Sequence, residues 1–280
     1  MIDVDPEIPL EGFAFVADGL DHPECVATGP DGVLYAGGEA GQIYRIDDGD
    51  VHLIASTGGF ILGLCLDADS NVYACDLRRH EVIRVTPSGE MSRYGEPIPV
   101  PNYPVFTDDG HLFVSDSGPR WGGDGRLMRI APDGTTAAMD VDVRAFPNGL
   151  AISPDGRWLY LVLTTLPGVV RMRLDGHDVV GEPETIVELA QHVPDGLAFD
   201  AEGRLLISCY APDVVYRWDG DSLVTLATDP LHTTIASPTN LAFFGPDRGR
   251  LALASLGRWH ILGTDRAGAG APLRYPSLAR

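Results

Sequence analysis

The sequence predicts an all-β chain folded as a six-bladed β-propeller with four-stranded blades. Three observations predict it: a strand–turn–strand pattern recurs six times, its copies are evenly spaced, and no stretch carries sustained helical periodicity with caps. The pattern is clearest in PNGLAISPDGRWLY from Pro147. It returns as PECVATGPDGVLYA from Pro23, PNYPVFTDDGHLFVS from Pro101 and PDGLAFDAEGRLLIS from Pro194. Weaker copies are ILGLCLDADSNVYAC from Ile61 and PTNLAFFGPDRGRLALAS from Pro238. Alignment puts Glu24, Leu62, Asn102, Asn148, Asp195 and Thr239 at one position, in steps of 38, 40, 46, 47 and 44 residues. Blade repeats run to about 40–50 residues.

Each copy supplies the elements of a blade in order. A short apolar strand ends at a turn such as Pro30-Asp31-Gly32, Asp109-Gly110 or Glu202-Gly203, and a second strand such as Val33-Leu34-Tyr35-Ala36 follows. The third strand sets an Arg among apolar residues, as in Ile43-Tyr44-Arg45-Ile46 and Leu127-Met128-Arg129-Ile130. A fourth is expected at His52-Leu53-Ile54, Thr185-Ile186-Val187 and Leu223-Val224-Thr225. The last copy lacks a fourth strand and runs into AGAGAPL, which reads as loop. A strand at about 12–17, containing Phe13-Ala14-Phe15-Val16, can take its place and remove the exposed edges. The expected organisation is one domain over residues 1–280, with blades starting near 24, 62, 102, 148, 195 and 239.

Composition narrows the function. The 280 residues carry a formal charge of -20, which argues against nucleic acid because such a partner needs a basic face. All 20 basic residues are Arg, so Schiff-base chemistry on a lysine is excluded. Cys25, Cys65, Cys75 and Cys209 show no zinc-type spacing. No apolar run reaches membrane-span length and no signal pattern opens the chain, so the expectation is a cytoplasmic protein with no membrane partner, monomeric or weakly self-associating.

In a propeller blade the first strand lies nearest the axis, so residues at its start converge on the central channel, and the Asp-Gly turns fall on the opposite face. Glu24, Asn102, Asn148 and Asp195 then form a ring of two carboxylates and two amides, completed by Leu62 and Thr239. Oxygen donors with two negative charges suit one hard divalent ion, with Ca2+, Mg2+, Mn2+ and Zn2+ all open on the donor set alone. His22 and Cys25 flank Glu24 and read as packing or rim residues.

These contexts, PE at Pro23-Glu24, PN at Pro101-Asn102, PNGLAISPDG from Pro147 and PDGLAFDAEG from Pro194, resemble the senescence-marker-protein/gluconolactonase/luciferin-regenerating-enzyme family over nearly the whole chain. The resemblance implies a six-bladed propeller with a divalent metal, usually calcium, in the channel, and for many members lactone hydrolysis. It matches Glu24, Asn148 and Asp195 to metal ligands, Asn102 to a further ligand or a substrate-contacting amide, and Asp195 also to the catalytic base. One position departs from it. Sugar-lactone-cleaving relatives often carry an Arg two residues before the Asn matching Asn102, where this chain has Val100, followed by Tyr103 and Pro104 after the Asn. Gluconolactone is therefore a doubtful substrate.

Substrate contacts are expected from loops after each second strand, spanning Asp76 to His80, Asp116 to Asp124, Thr164 to Pro167, Cys209 to Pro212 and Ser255 to Trp259. Arg120 and Trp121 in the long loop DSGPRWGGD are the leading recognition residues, with Tyr103, Tyr210 and Trp259 as walls for a small molecule less polar than a sugar. The expected activity is metal-dependent hydrolysis of a small ester or lactone. Two other classes stay open: a strictosidine-synthase-like or isomerase/lyase activity on the same fold, and a non-catalytic propeller with structural calcium.

Overall fold

The computed structural model describes residues 5–278. Its strands form six four-stranded antiparallel sheets arranged as a six-bladed propeller. Strand β1 (Ala14–Ala17) comes first in the chain. Blade 1 is β2 (Val26–Thr28), β3 (Leu34–Gly37), β4 (Gln42–Asp47) and β5 (Asp50–Ser56). Blade 2 is β6 (Ile61–Leu66), β7 (Val72–Asp76), β8 (Glu81–Val85) and β9 (Met91–Tyr94). Blade 3 is β10 (Pro101–Phe106), β11 (Leu112–Asp116), β12 (Arg126–Ile130) and β13 (Thr136–Ala138). Blade 4 is β14 (Pro147–Ile152), β15 (Trp158–Leu163), β16 (Gly168–Asp175) and β17 (Asp178–Glu188). Blade 5 is β18 (Val193–Phe199), β19 (Leu205–Ala211), β20 (Val214–Trp218) and β21 (Leu223–Thr228). Blade 6 is β22 (Pro238–Phe244), β23 (Arg250–Ser255) and β24 (His260–Thr264), and β1 pairs with β24 as its fourth strand. No helix among the described residues is long and apolar enough to cross a membrane. The first four and last two residues of the expected 1–280 domain lie outside the described residues.

The core is divided among the junctions between blades. One cluster packs Val162 and Val169 of blade 4 on Leu205 and Ile207 of blade 5; another sets Tyr73 of blade 2 against Phe106 of blade 3, edge-on at 4.9 Å. Each fully buried aliphatic or aromatic side chain there contributes about 1.5–3 kcal/mol. The four cysteines are free, and burial pushes their thiols upward.

Two features decide what the channel can do. First, the inner strands bulge where the aligned residues sit. In blade 4, Pro147 faces Leu163 and Leu150 faces Leu161, so Asn148 and Gly149 together oppose the single residue Val162. The same extra residue appears at Leu62-Gly63, Asn102-Tyr103 and Asp195-Gly196, and Thr239 is the inserted residue in blade 6. A bulge re-aims a side chain out of the pleat, here toward the axis. The aligned residues of blades 2–6 thus belong to their first strands, whereas the sequence reading put the ring just before strand one; only Glu24 precedes its strand.

Second, the C-terminal segment crosses the far face. Ala271 N donates to Phe199 O at 3.0 Å, the Tyr275 hydroxyl to Thr28 O at 2.8 Å, Arg274 Nη2 to Ser153 O at 2.9 Å and Ala68 N to Pro276 O at 3.1 Å. These bonds reach blades 5, 1, 4 and 2 in turn. Ala271, Pro272, Leu273, Arg274 and Tyr275 line the end of the channel they cover.

Candidate active site

At the bulged end the channel opens into a cavity of about 300 Å³. Glu24, Asn102, Asn148 and Asp195 all line it, as do Leu62, Tyr103, Arg120 and Tyr210. Thr239 does not; its neighbour Asn240 lines the cavity instead. Trp121 is 81% exposed and lies under the Arg120 guanidinium, 5.6 Å from its ring. Trp259 lies at the rim on His22, with ring centroids 4.0 Å apart, and is outside the lining.

The second residue of each bulge explains the local sequence. A Cβ on Gly149 would lie 2.3 Å from the Asp195 carbonyl oxygen, on Gly196 2.7 Å from that of Thr239, and on Gly63 2.5 Å from that of Asn102. None of the three has a left-handed φ. Glycine is required here by the close approach of the next blade's backbone, not by a turn. Where the position does carry a side chain, it fills the channel. Tyr103 faces Asn240, and burial pushes its phenol upward. Tyr103 is the common wall of the ring cavity and of an apolar chamber of about 130 Å³ beneath it.

Strain is concentrated at this end. His22, Phe146 and Ser237 hold φ of 44°, 57° and 52°. Each stands directly before the proline that precedes a ring position. A non-glycine residue in that region costs on the order of 1–3 kcal/mol, and such positions cluster at functional sites.

The two amides are anchored alike. Asn102 Nδ2 donates to Ser117 Oγ at 2.9 Å, and Ser117 Oγ to the Pro147 carbonyl at 2.7 Å. Asn148 Nδ2 donates to Thr164 Oγ1 at 3.3 Å, and Thr164 Oγ1 to the Pro194 carbonyl at 2.9 Å. Each hydroxyl therefore ties an amide nitrogen to the next blade, and among the described residues neither amide oxygen accepts a hydrogen bond.

The two ring carboxylates differ from the other acids at this end. Asp76 accepts Thr57 Oγ1 at 2.5 Å, Phe60 N at 3.0 Å, and Arg78 N and Arg79 N at 3.1 Å each. Asp116 accepts Val100 N at 2.9 Å and the Arg126 guanidinium at 2.5 Å. These two are structural. Among the described residues, neither Glu24 nor Asp195 forms an ion pair. Burial raises the Glu24 carboxyl to about 7, with the Glu39 charge adding to it and His22 opposing. Burial, then the Glu24 charge, raises Asp195 well above the usual carboxylate range, against the Asn148 amide and the Arg120 charge.

The donor set thus fits a hard divalent cation: two carboxylates without a cationic partner and two open amide oxygens border one cavity. Thr239 Oγ1, at the aligned position of blade 6 but outside the cavity lining, is the single buried side-chain polar atom without a partner among the described residues. No histidine or cysteine lines the cavity, so a soft-ligand site is disfavoured. The rest of the wall combines Arg120, Thr164, Asn240 and the two tyrosines with apolar Phe60, Leu62, Leu77, Val100, Phe146 and Leu256. The bulges, the C-terminal cover and the Tyr103 partition escaped the sequence reading. The glycines at the second bulge position were the available signal for the first of these.

Comparison with known proteins agrees with this architecture. A 6-deoxy-6-sulfogluconolactonase of Pseudomonas putida is 29% identical over 235 residues, covering 77% of this chain and 76% of that protein. Two solved structures share the fold. A gluconolactonase from Xanthomonas campestris has a TM-score of 0.76 at 21% identity, covering 93% of this chain and 95% of its own. A calcium-binding protein, regucalcin, from Agrobacterium tumefaciens has a TM-score of 0.78 at 19% identity, covering 99% and 100%. The strictosidine synthase-like N-terminal family model matches residues 9–46. The SMP-30/gluconolactonase/LRE-like region matches residues 101–257, more than half of the chain, and the chain belongs to that family.

Proposed function

We propose that the protein is a metal-dependent hydrolase of a small, largely apolar lactone or ester. The observation that carries this reading is the ring cavity itself: two unpaired carboxylates and two open amide oxygens at the accessible end of a channel whose other end is covered. Glu24, Asn102, Asn148 and Asp195 would hold the ion. When bound, it would polarise the substrate carbonyl and acidify a water.

The residues of the chain do the rest. Asp195 accepts the proton of the attacking water, being the carboxylate that borders both the ring and the open cavity. Asn148 beside Asp195 orients that carboxylate through its Thr164 anchor. Arg120 supplies the cationic group at the opening and meets the developing negative charge or a carboxylate product. Tyr103 and Tyr210 form walls, and Tyr103 limits how far a substrate penetrates. The apolar lining, with Val100 where a sugar-binding arginine would stand, favours alkyl- or aryl-substituted rings over polyhydroxylated ones. Gluconolactonases among the relatives support the reaction class, and the regucalcin neighbour supports calcium as the ion.

The test is hydrolysis of a panel of alkyl-substituted γ- and δ-lactones, aryl esters and D-glucono-δ-lactone, before and after chelation. Activity should vanish on metal removal, return with Ca2+ or another divalent ion, and favour the alkyl-substituted lactones. Full activity after complete metal removal would overturn the proposal.

A further inference from the structure

On the face opposite the ring, three metal-ligating side chains from two blades meet. Asp109 lies in the β10–β11 turn, His111 just before β11, and His177 in the β16–β17 turn of the next blade. One ligand atom from each lies within 4.8 Å of the others. Asp109 Oδ1 is 3.2 Å from His111 Nδ1, and Oδ2 is 2.7 Å from His177 Nδ1. The two imidazoles stack with centroids 3.6 Å apart and planes at 18°.

The cluster is also braced by groups that are not ligands. Thr107 Oγ1 donates to Asp109 Oδ1 at 2.5 Å. Arg129 Nη1 donates to the His177 carbonyl at 3.1 Å and to Asp178 Oδ1 at 2.5 Å, fixing the blade 4 hairpin against blade 3. Partners that orient the carboxylate and fix the ligand-bearing backbone are what a metal site needs around its ligands.

We propose that Asp109, His111 and His177 form a second divalent-metal site, for zinc, that fastens blade 3 to blade 4. Two imidazoles and one carboxylate are the ligands of a borderline ion, unlike the all-oxygen set at the ring. Both Nδ1–H groups already donate to one carboxylate; an ion that displaces those two protons would find the same nitrogens and the Asp109 oxygens facing one volume, at about 2.0–2.1 Å from each ligand. Nearly parallel rings must splay to complete that convergence. His177 sits on an exposed turn and has the freedom to do so. Asp133 adds negative charge near His111, while Asp108 and Asp178 are already matched by Arg274 and Arg129. The site shares no residue with the ring, and it stands or falls independently of the hydrolase proposal.

The experiment uses full-length protein carrying Glu24→Gln and Asp195→Asn, which disables the ring. Calorimetric titration with Zn2+ at pH 7.5 should show one ion per chain, bound at least tenfold more weakly after His177→Ala or His111→Gln. Saturating zinc should raise Tm by about 5 °C in the ring-disabled protein and not in its His177→Ala derivative. Copper EPR on the same protein, which needs no further variant, should show hyperfine coupling to two nitrogens. Zinc binding unchanged by His177→Ala, an absence of zinc binding in the ring-disabled protein, or a copper spectrum without nitrogen coupling would each overturn the proposal.

Discussion

The two ends of the channel are built from the same repeat and do opposite things with their acids. Asp155, in the far-face turn of blade 4, accepts Ser153 Oγ at 2.6 Å and Arg157 N at 3.1 Å. Those bonds, the Ser153 hydroxyl first, lower its carboxyl to about 2. Asp195, at the bulged end of blade 5, is driven the other way by burial and by Glu24. The far face satisfies its polar groups within its turns and between neighbouring ones, as in the His177–Asp109 contact, and is then covered by the C-terminal segment. The bulged end leaves carboxylates, amide oxygens and one threonine hydroxyl unmatched, and there His22, Phe146 and Ser237 take left-handed conformations directly before the prolines that precede ring positions. The far face uses its polar groups to brace the blades, and the bulged end keeps its own free around an open cavity.

The largest effect should come from exchanging the two aspartates' roles. Asp195→Asn should lower kcat/KM by about 10²–10⁴-fold, the range of a general base, while the metal-free protein stays at least as stable as the parent at pH 8. Asp155→Asn should leave kcat/KM within about twofold and cost about 1 kcal/mol of stability. Steady-state kinetics with thermal denaturation on both variants decides the matter, and equal kinetic losses would erase the contrast.

Removal of the far-face cover comes next. A chain ending at Asp265 loses the bonds that join four blades and exposes the apolar chamber, and its Tm should fall by at least about 10 °C. Ring metal affinity in the folded fraction should persist, because no ligand lies in that segment. Calcium titration of the truncated protein below its Tm measures this.

A pH series tests the electrostatic half of the comparison. The Glu24 carboxyl ionises at about 7 in the folded protein, above the roughly 4.3 of an unfolded chain. Its contribution to the stability of the metal-free protein is therefore fully present below about pH 4.3 and lost as pH rises through 7. Ca2+ competes with the same proton, so calcium affinity should increase across that range. Glu24→Gln should flatten the stability profile, as read from urea midpoints at intervals of half a pH unit.

The smallest expected effect concerns the strained residues. Ser237→Gly removes a left-handed serine and should stabilise by about 0.5 kcal/mol, the relieved strain being partly offset by backbone entropy. Chemical denaturation of this single variant checks the sign.

Local sequence carried the architecture because each blade is a local unit. Alternating strands, Asp-Gly reversals and a period of 38–47 residues need no long-range information, and neither does the fourth strand missing after Leu262. The ring was legible for the same reason: an aligned residue in a symmetric fold faces the same axis, which brought Glu24, Asn102, Asn148 and Asp195 to one cavity. The apparent second turn at Asn148-Gly149 was not legible as a bulge. Its glycine answers to the Asp195 carbonyl of the next blade, and that contact crosses 46 residues of chain.

Other decisions belonged to tertiary structure alone. Trp121 and Trp259 look alike in sequence to Tyr103 and Tyr210, yet the former lie on solvent or rim and the latter on the cavity, because exposure depends on where a loop lands. AGAGAPL reads only as loop, yet its last residues and those that follow cover the channel through bonds to distant blades. His111 and His177 lie 66 residues apart and stack only because adjacent blades place their hairpins side by side. The repeat determined the fold and the ring of oxygen-bearing side chains. Which end is open, how deep the cavity runs and which distant side chains meet were decided by contacts between blades, which no local pattern encodes.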